Sequence, residues 1–266
     1  MFDSYNRRIN YLRISVTDRC NLRCTYCMPA EGIALMQHTD ILSFEEIMEV
    51  VDSALLLGVD KIRITGGEPL VRKGIVNLVQ MIASRPGVQD LGLTTNGQLL
   101  QKYALPLKEA GLHRVNVSLD TMDPLKYSQV TRGGEIDNVL KGIEASVSAG
   151  LSPVKINCVI AKSASEPDAM AVAEYGKKMG IQVRFIRQMD LEKGEFYVVD
   201  GGSGGDCSTC NRLRLTANGM IKPCLFNDLE YNIREHGAHK ALQLALGNKP
   251  SCGTINHHGE FYNIGG

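Results

Sequence analysis

The sequence predicts an α/β fold on a parallel sheet, because six short strand-like runs alternate with stretches of helical periodicity and a chemistry-bearing motif follows one strand after another. Residues 11–16 read as the first strand. Ser43-Phe44-Glu45-Glu46 is a capping box opening a helix whose apolar Ile47, Val50, Val51, Ala54 and Leu55 recur at helical spacing up to Gly58. The second strand is 61–65, and the rhythm continues with a helix near 74–84, a strand at 91–94 and a helix near 98–110. A strand at 114–119, a helix near 136–149, a strand at 154–160, a helix near 168–179 and a strand at 182–186 complete it. Such alternation calls for right-handed βαβ crossovers. A doubly wound sheet and a partial barrel both satisfy it, although no G-x-G-x-x-G opens the first crossover.

Residues 190–206 are Gly-rich, with four glycines in the five residues 201–205, and read as a flexible linker and domain boundary. The division expected is therefore 1–189, linker 190–206 and 207–266. Beyond it, 212–224 alternates around Asn218-Gly219, a strong hairpin signal, and a short helix is expected near 238–247.

The 266 residues are 44% hydrophobic, enough for one large domain with a small appendage. Twenty-nine basic against twenty-nine acidic residues argue against nucleic-acid binding or a polybasic membrane patch, while allowing a local basic pocket. No apolar run approaches transmembrane length and the first residues carry no signal-like apolar segment, so a cytoplasmic protein is expected. In a reducing compartment the eight cysteines are more readily metal ligands or buried thiols than disulfides. Cys158 reads as a core residue of the fifth strand; Cys252 has no assignment.

Cys20-x3-Cys24-x-Tyr26-Cys27 places three thiols within eight residues, just after the first strand. Three thiolates can hold three irons of a [4Fe–4S] cube and leave the fourth open, which suits chemistry more than electron transfer alone; a structural zinc site closes at four ligands. Cys207-x2-Cys210-x13-Cys224 is a second group. By spacing alone it serves equally as a second cluster or as zinc completed by His236, His239, His257 or His258.

The first motif resembles the pattern of the radical S-adenosylmethionine (SAM) superfamily. With residues 12–20, Cys27-Met28-Pro29, Cys207-x2-Cys210-Asn211-Arg212-Leu213-Arg214 and a closing Gly265-Gly266, the chain is similar to the MoaA-type GTP 3',8-cyclase family of molybdenum-cofactor biosynthesis. The resemblance implies a partial (β/α)6 TIM-type barrel with a small C-terminal auxiliary-cluster domain. It also implies two [4Fe–4S] clusters, on Cys20, Cys24 and Cys27 and on Cys207, Cys210 and Cys224, with SAM as cofactor. Tyr26, Gly67, Ser118 and Met189 match SAM-contacting positions. Arg13, Arg63, Thr94, Lys155, Arg184, Arg212 and Arg214 match positions that contact GTP. The implied reaction is reductive cleavage of SAM, hydrogen abstraction from C3' of the GTP ribose and closure onto C8 of guanine, giving 3',8-cyclo-7,8-dihydro-GTP. The implied partners are GTP, a reduced flavodoxin or ferredoxin-type electron donor and a downstream enzyme forming cyclic pyranopterin; a homodimer is compatible. The family carries a longer segment where this chain has 190–206, and often Glu where this chain has Arg187. Two other readings are a related radical SAM enzyme acting on another nucleotide or a peptide, and a zinc-stabilised nucleotide-binding regulator.

Overall fold

A computed structural model describes residues 1–257, and the strands fall where the alternation put them. They are β1 (Tyr11–Ser15), β2 (Lys61–Thr65), β3 (Asp90–Thr95), β4 (Arg114–Ser118), β5 (Val154–Ile160) and β6 (Gln182–Arg187). All six pair in parallel in chain order. The hairpin strand β7 (Arg212–Leu215) then pairs in parallel with β1, and β8 (Met220–Lys222) and β9 (Tyr231–Asn232) follow antiparallel. The C-terminal part thus joins the barrel's own sheet, in the order β6-β5-β4-β3-β2-β1-β7-β8-β9.

The helices are α1 (Phe44–Leu56), α2 (Ile75–Ala83), α3 (Leu100–Glu109), α4 (Pro124–Thr131), α5 (Ile136–Ser148), α6 (Pro167–Met179), α7 (Ile233–His236) and α8 (Ala238–Gly247). The capping box forms as read: Ser43 Oγ accepts from Glu46 N and Glu46 Oε2 accepts from Ser43 N. One face of each strand supplies the core. Leu12, Ile14, Ile62, Ile64, Leu91, Leu93, Val115 and Val117 are fully buried in one cluster with Ile47, Leu78, Leu107 and Ile143 of the helices.

Three elements escape the periodicity argument. Helix α4 buries only Tyr127 and Thr131, too little to print an apolar stripe; what starts it is Asp123-Pro124, whose Asp Oδ1 accepts from Leu125 N and Lys126 N. Strand β9 and helix α7 have two and four residues, shorter than either period.

The Gly-rich connector folds back along β6. Phe185 and Asp200 exchange backbone hydrogen bonds of 3.0 and 3.1 Å, Gln182 Nε2 donates to Gly201 O, and the Arg187 guanidinium lies 3.7 Å from the centre of the Tyr197 ring. Gly205, at φ +79°, is needed there: a Cβ would stand 1.8 Å from Tyr197 O.

Candidate active site

Neighbouring parallel strands keep inward-facing residues in rows, and here the rows are polar. Arg214, Arg13 and Arg63 pair in register across β7, β1 and β2, and the row continues through Gly92 to Arg114. One residue-pair earlier runs Arg212, Tyr11, Lys61 and Asp90; one pair later, Thr94, Asn116 and Lys155. Ser118 pairs with Asn157 and Asn157 with Arg184. A barrel interior normally fills with branched apolar side chains. This one instead encloses a cavity of about 730 Å³.

Arg13, Arg63, Lys155, Arg184, Arg212 and Arg214 all line that cavity, as do Met189, Cys207, Cys210 and Cys224. Thr94 sits in the same barrel interior without lining it, its Oγ1 buried and without a hydrogen-bond partner among the described residues. The connector supplies another wall through Phe196, Tyr197 and Val199, and Ser203 accepts twice from Arg212 Nη2 at 3.1 Å. Met189 also packs on a satellite core of Leu191, Leu225 and Phe226.

Arg114 is held by Asp90, with Nη2 to Oδ2 at 2.7 Å. The Nε groups of Arg13, Arg63 and Arg184 are buried and have no hydrogen-bond partner among the described residues. Burial, then the neighbouring arginines, pushes Arg63 and Arg214 down to about 9, and burial followed by cationic neighbours lowers Lys155, Arg184 and Arg212 as well. Unpaired buried donors facing a cavity describe a polyanion site.

The second cysteine group closes one end of this cavity. Cys207 and Cys210 precede β7 at its amino end, and β8 runs back to deliver Cys224 to that end. Lys249, 3% exposed, joins the two pieces: its Nζ donates to Arg212 O at 2.8 Å and to Pro223 O at 2.6 Å. Burial raises the Cys210 thiol, but the Lys249 charge, the backbone hydrogen bond from Arg212 and the charges of Arg212 and Arg214 outweigh it, and the net shift is downward, favouring thiolate. Among the described residues no three His, Cys, Asp or Glu side chains converge as ligands of a single metal ion do. A cubane needs no such convergence, since each iron takes one thiolate.

The first cysteine group lies at the opposite, carboxyl end of β1, separated from the second by the strand's five residues, roughly 17 Å. Cys20 Sγ accepts from Leu22 N at 3.4 Å and Asn96 Nδ2 at 3.7 Å, while Cys24 O accepts from Cys27 N and Met28 N. Helix α4 and its end hold this loop: Arg23 N donates to Thr131 O, Thr25 N to Val130 O, and Arg132 Nη1 to Arg23 O and Met28 O. Gly67 fits because a Cβ would meet Arg19 O at 2.4 Å; Gly67 N and Glu68 N donate to Thr17 O and Arg19 O. Tyr26 Oη donates to Asp120 Oδ2 at 2.7 Å, and Val159 N donates to the other Asp120 oxygen. Burial, then Asp120 and the neighbouring cysteines, pushes the Cys24 thiol up to about 12, and burial raises Cys20. Such thiols become thiolates only on binding a cation, so the donor set fits an iron–sulfur cluster.

Tyr11, Lys61, Asn116, Asn157 and Lys249 join the site without having been expected there. For the strand residues the signal lay in the apolar–polar alternation of Tyr11–Ser15, Lys61–Thr65, Arg114–Ser118 and Val154–Ile160. Parallel strands covered on both faces are ordinarily apolar throughout, so a polar face marks a wet interior. His236 and His239 do not line the cavity, and His257 hydrogen-bonds Asp228. His258 and Gly265-Gly266 lie outside the described residues.

A parallel sheet carrying a three-cysteine loop at the end of its first strand is the arrangement of radical enzymes that use an iron–sulfur cluster, and the radical SAM superfamily model matches residues 14–175. The chain is 43% identical over 281 residues to the GTP 3',8-cyclase of Thermodesulfovibrio yellowstonii, covering 88% of this chain and 87% of that one. It is 43% identical over 309 residues to the GTP 3',8-cyclase of Pelotomaculum thermopropionicum, covering 97% and 95%. This chain belongs to the GTP 3',8-cyclase family of the radical SAM superfamily. The second match is longer than the 266-residue chain itself, so that relative carries residues with no counterpart here. Streptococcus suis SuiB bound to its precursor peptide SuiA shares the fold, with TM-score 0.66 at 17% identity over 91% of this chain and 66% of that one.

Proposed function

We propose that this protein is a radical SAM lyase that cyclises GTP to 3',8-cyclo-7,8-dihydro-GTP in molybdenum-cofactor biosynthesis. The observation that carries the reading is the register-aligned cation set, Arg214–Arg13–Arg63 with Arg212, Lys155 and Arg184, lining a cavity closed at one end by the second cysteine group.

In this reading Cys20, Cys24 and Cys27 hold a [4Fe–4S] cluster, which supplies the electron that cleaves SAM. Tyr26, Gly67, Ser118 and Met189 border SAM, with Asp120 fixing the Tyr26 ring through the 2.7 Å hydrogen bond. Arg13, Arg63, Lys155, Arg184, Arg212 and Arg214 bind the triphosphate, with Thr94 beside them, and so orient the ribose toward the carboxyl end. Cys207, Cys210 and Cys224 hold the second cluster near the base. The apolar walls Phe196, Tyr197 and Val199 exclude water from the reacting nucleotide. A flavodoxin or ferredoxin-type protein delivers the electrons, and a cyclic pyranopterin-forming enzyme consumes the product. So many cations converging on one cavity suit a triphosphate better than a peptide.

The test is anaerobic. Reconstituted protein given dithionite, SAM and GTP is expected to release 5'-deoxyadenosine and a cyclised guanosine product; 5'-deoxyadenosine with unchanged GTP assigns the chain another substrate.

A further inference from the structure

Cys252, the cysteine without an assignment, lies against the second cysteine group. Its Sγ stands 3.1 Å from Cys207 Sγ, donating its S–H to that sulfur. Cys252 is exposed and Cys207 half-buried. The two come from segments 45 residues apart, and the fold holds both.

Arg7 is the clamp. Its Nη1 donates to Cys207 O at 2.7 Å and to Ser251 O at 2.8 Å, and its Nη2 to Pro250 O at 2.6 Å. Asp3 orients the guanidinium through Oδ2, which accepts from Nε at 2.7 Å. One buried side chain therefore fixes the backbone of Cys207 and the residues just before Cys252. On the other side Thr254 N donates to Phe226 O at 2.8 Å, and Gly253 lies so close to Cys224 that a Cβ would meet its sulfur at 3.2 Å.

We propose that Cys207 and Cys252 are a thiol pair that a small-molecule disulfide oxidises to a disulfide when the second cysteine group carries no cluster, reversibly masking one of its ligands. The proposal rests on the reading that Cys207 ligates the auxiliary cluster. A disulfide needs the sulfurs at about 2.05 Å, roughly 1 Å closer than they stand. Ligation to iron takes the reduced Cys207 out of the pair; loss of the cluster returns it as a thiol beside Cys252, ready for an oxidant.

The oxidant is a small-molecule disulfide such as oxidised glutathione. The Cys207 sulfur attacks it, breaking the S–S bond and releasing one glutathione thiol. Cys252 then attacks the mixed disulfide and releases the second. Two protons and two electrons pass from the pair to the two glutathiones. The closed pair shields Cys207 from irreversible oxidation and bars it from iron until a reductant reopens it.

The test uses the full chain, stripped of iron by a chelator under reducing conditions, desalted anaerobically, treated with oxidised glutathione, alkylated and peptide-mapped. The dominant cross-link is expected between Cys207 and Cys252, reversed by dithiothreitol. Cys252→Ser is expected to abolish it and leave glutathione on Cys207. Reloading is expected to fall from about eight irons per chain to about four after oxidation, and to recover on reduction. Alkylation of Cys252 without prior reduction, or Cys207 linked instead to Cys210 or Cys224, overturns the proposal. The iron count of never-oxidised protein is independent: about four irons there removes the second-cluster reading, while the peptide map still decides the pair.

Discussion

At the scale of single residues, the arginines of the cavity are built for a ligand rather than for the fold. Arg63 is buried, its Nε is without a partner among the described residues, and Arg13, Arg114 and Arg184 repel it, with only the Tyr11 ring 5.7 Å away to offset them. Removing that charge relieves desolvation and repulsion in the ligand-free protein and deletes an anion contact in the complex. Arg63→Met is therefore expected to raise ligand-free stability by roughly 1 kcal/mol, read as a higher Tm, and to weaken GTP binding at least about tenfold. A structural arginine would lose stability on the same change. Gly67 carries the opposite logic. A methyl group there would stand 2.4 Å from Arg19 O, so Gly67→Ala must push the cluster loop aside. The expected result is a folded protein, destabilised by about 1–3 kcal/mol, that loads the second cluster and fails to load the first.

At the scale of elements, two segments govern the site, one by supporting it and one by lining it. The N-terminal turn does so through Asp3, whose carboxyl burial would raise but whose hydrogen bonds from Arg7 and Tyr5 hold below the ordinary 3.8. Its folded value is the lower one, so its contribution is complete above about 3.8 and fades as pH falls through the folded value. Asp3→Asn is expected to lower Tm at neutral pH and to differ less from the parent in strong acid, as read by thermal melts at the two pH values. The hairpin is the second segment. Arg212→Ala with Arg214→Ala is expected to weaken GTP at least about a hundredfold, measured by equilibrium binding, while leaving the first cluster's iron in place. Unchanged GTP affinity would remove the hairpin from the substrate site. Legibility followed the same division. The βα rhythm, the capping box and the Asn218-Gly219 hairpin were readable because each has a local period or turn chemistry. Helix α4 was not, because its start is one Asp-Pro cap and its value lies in contacts to the cysteine loop more than a hundred residues away.

At the scale of the whole molecule, the parallel pairing of β7 with β1 decides the geometry. It sets the two cysteine groups at opposite ends of one strand pair, with the cations between them. Sequence named both groups and the arginines, yet the partner of β7 is a long-range choice that no local pattern encodes. The same pairing aligns Arg214 with Arg13 and Arg63, and it makes the polar alternation of the strands an interior surface. Connector glycines complete the wall by close backbone approach, a role that composition alone presents as looseness. In the proposed reaction this interior holds GTP with its ribose presented to a radical formed at the carboxyl end. The most direct measurement is anaerobic turnover with GTP deuterated at C3', followed by mass analysis of the 5'-deoxyadenosine released. The deuterium is expected to move into 5'-deoxyadenosine as GTP is cyclised. Unlabelled 5'-deoxyadenosine, with the deuterium retained in unchanged GTP, would contradict it.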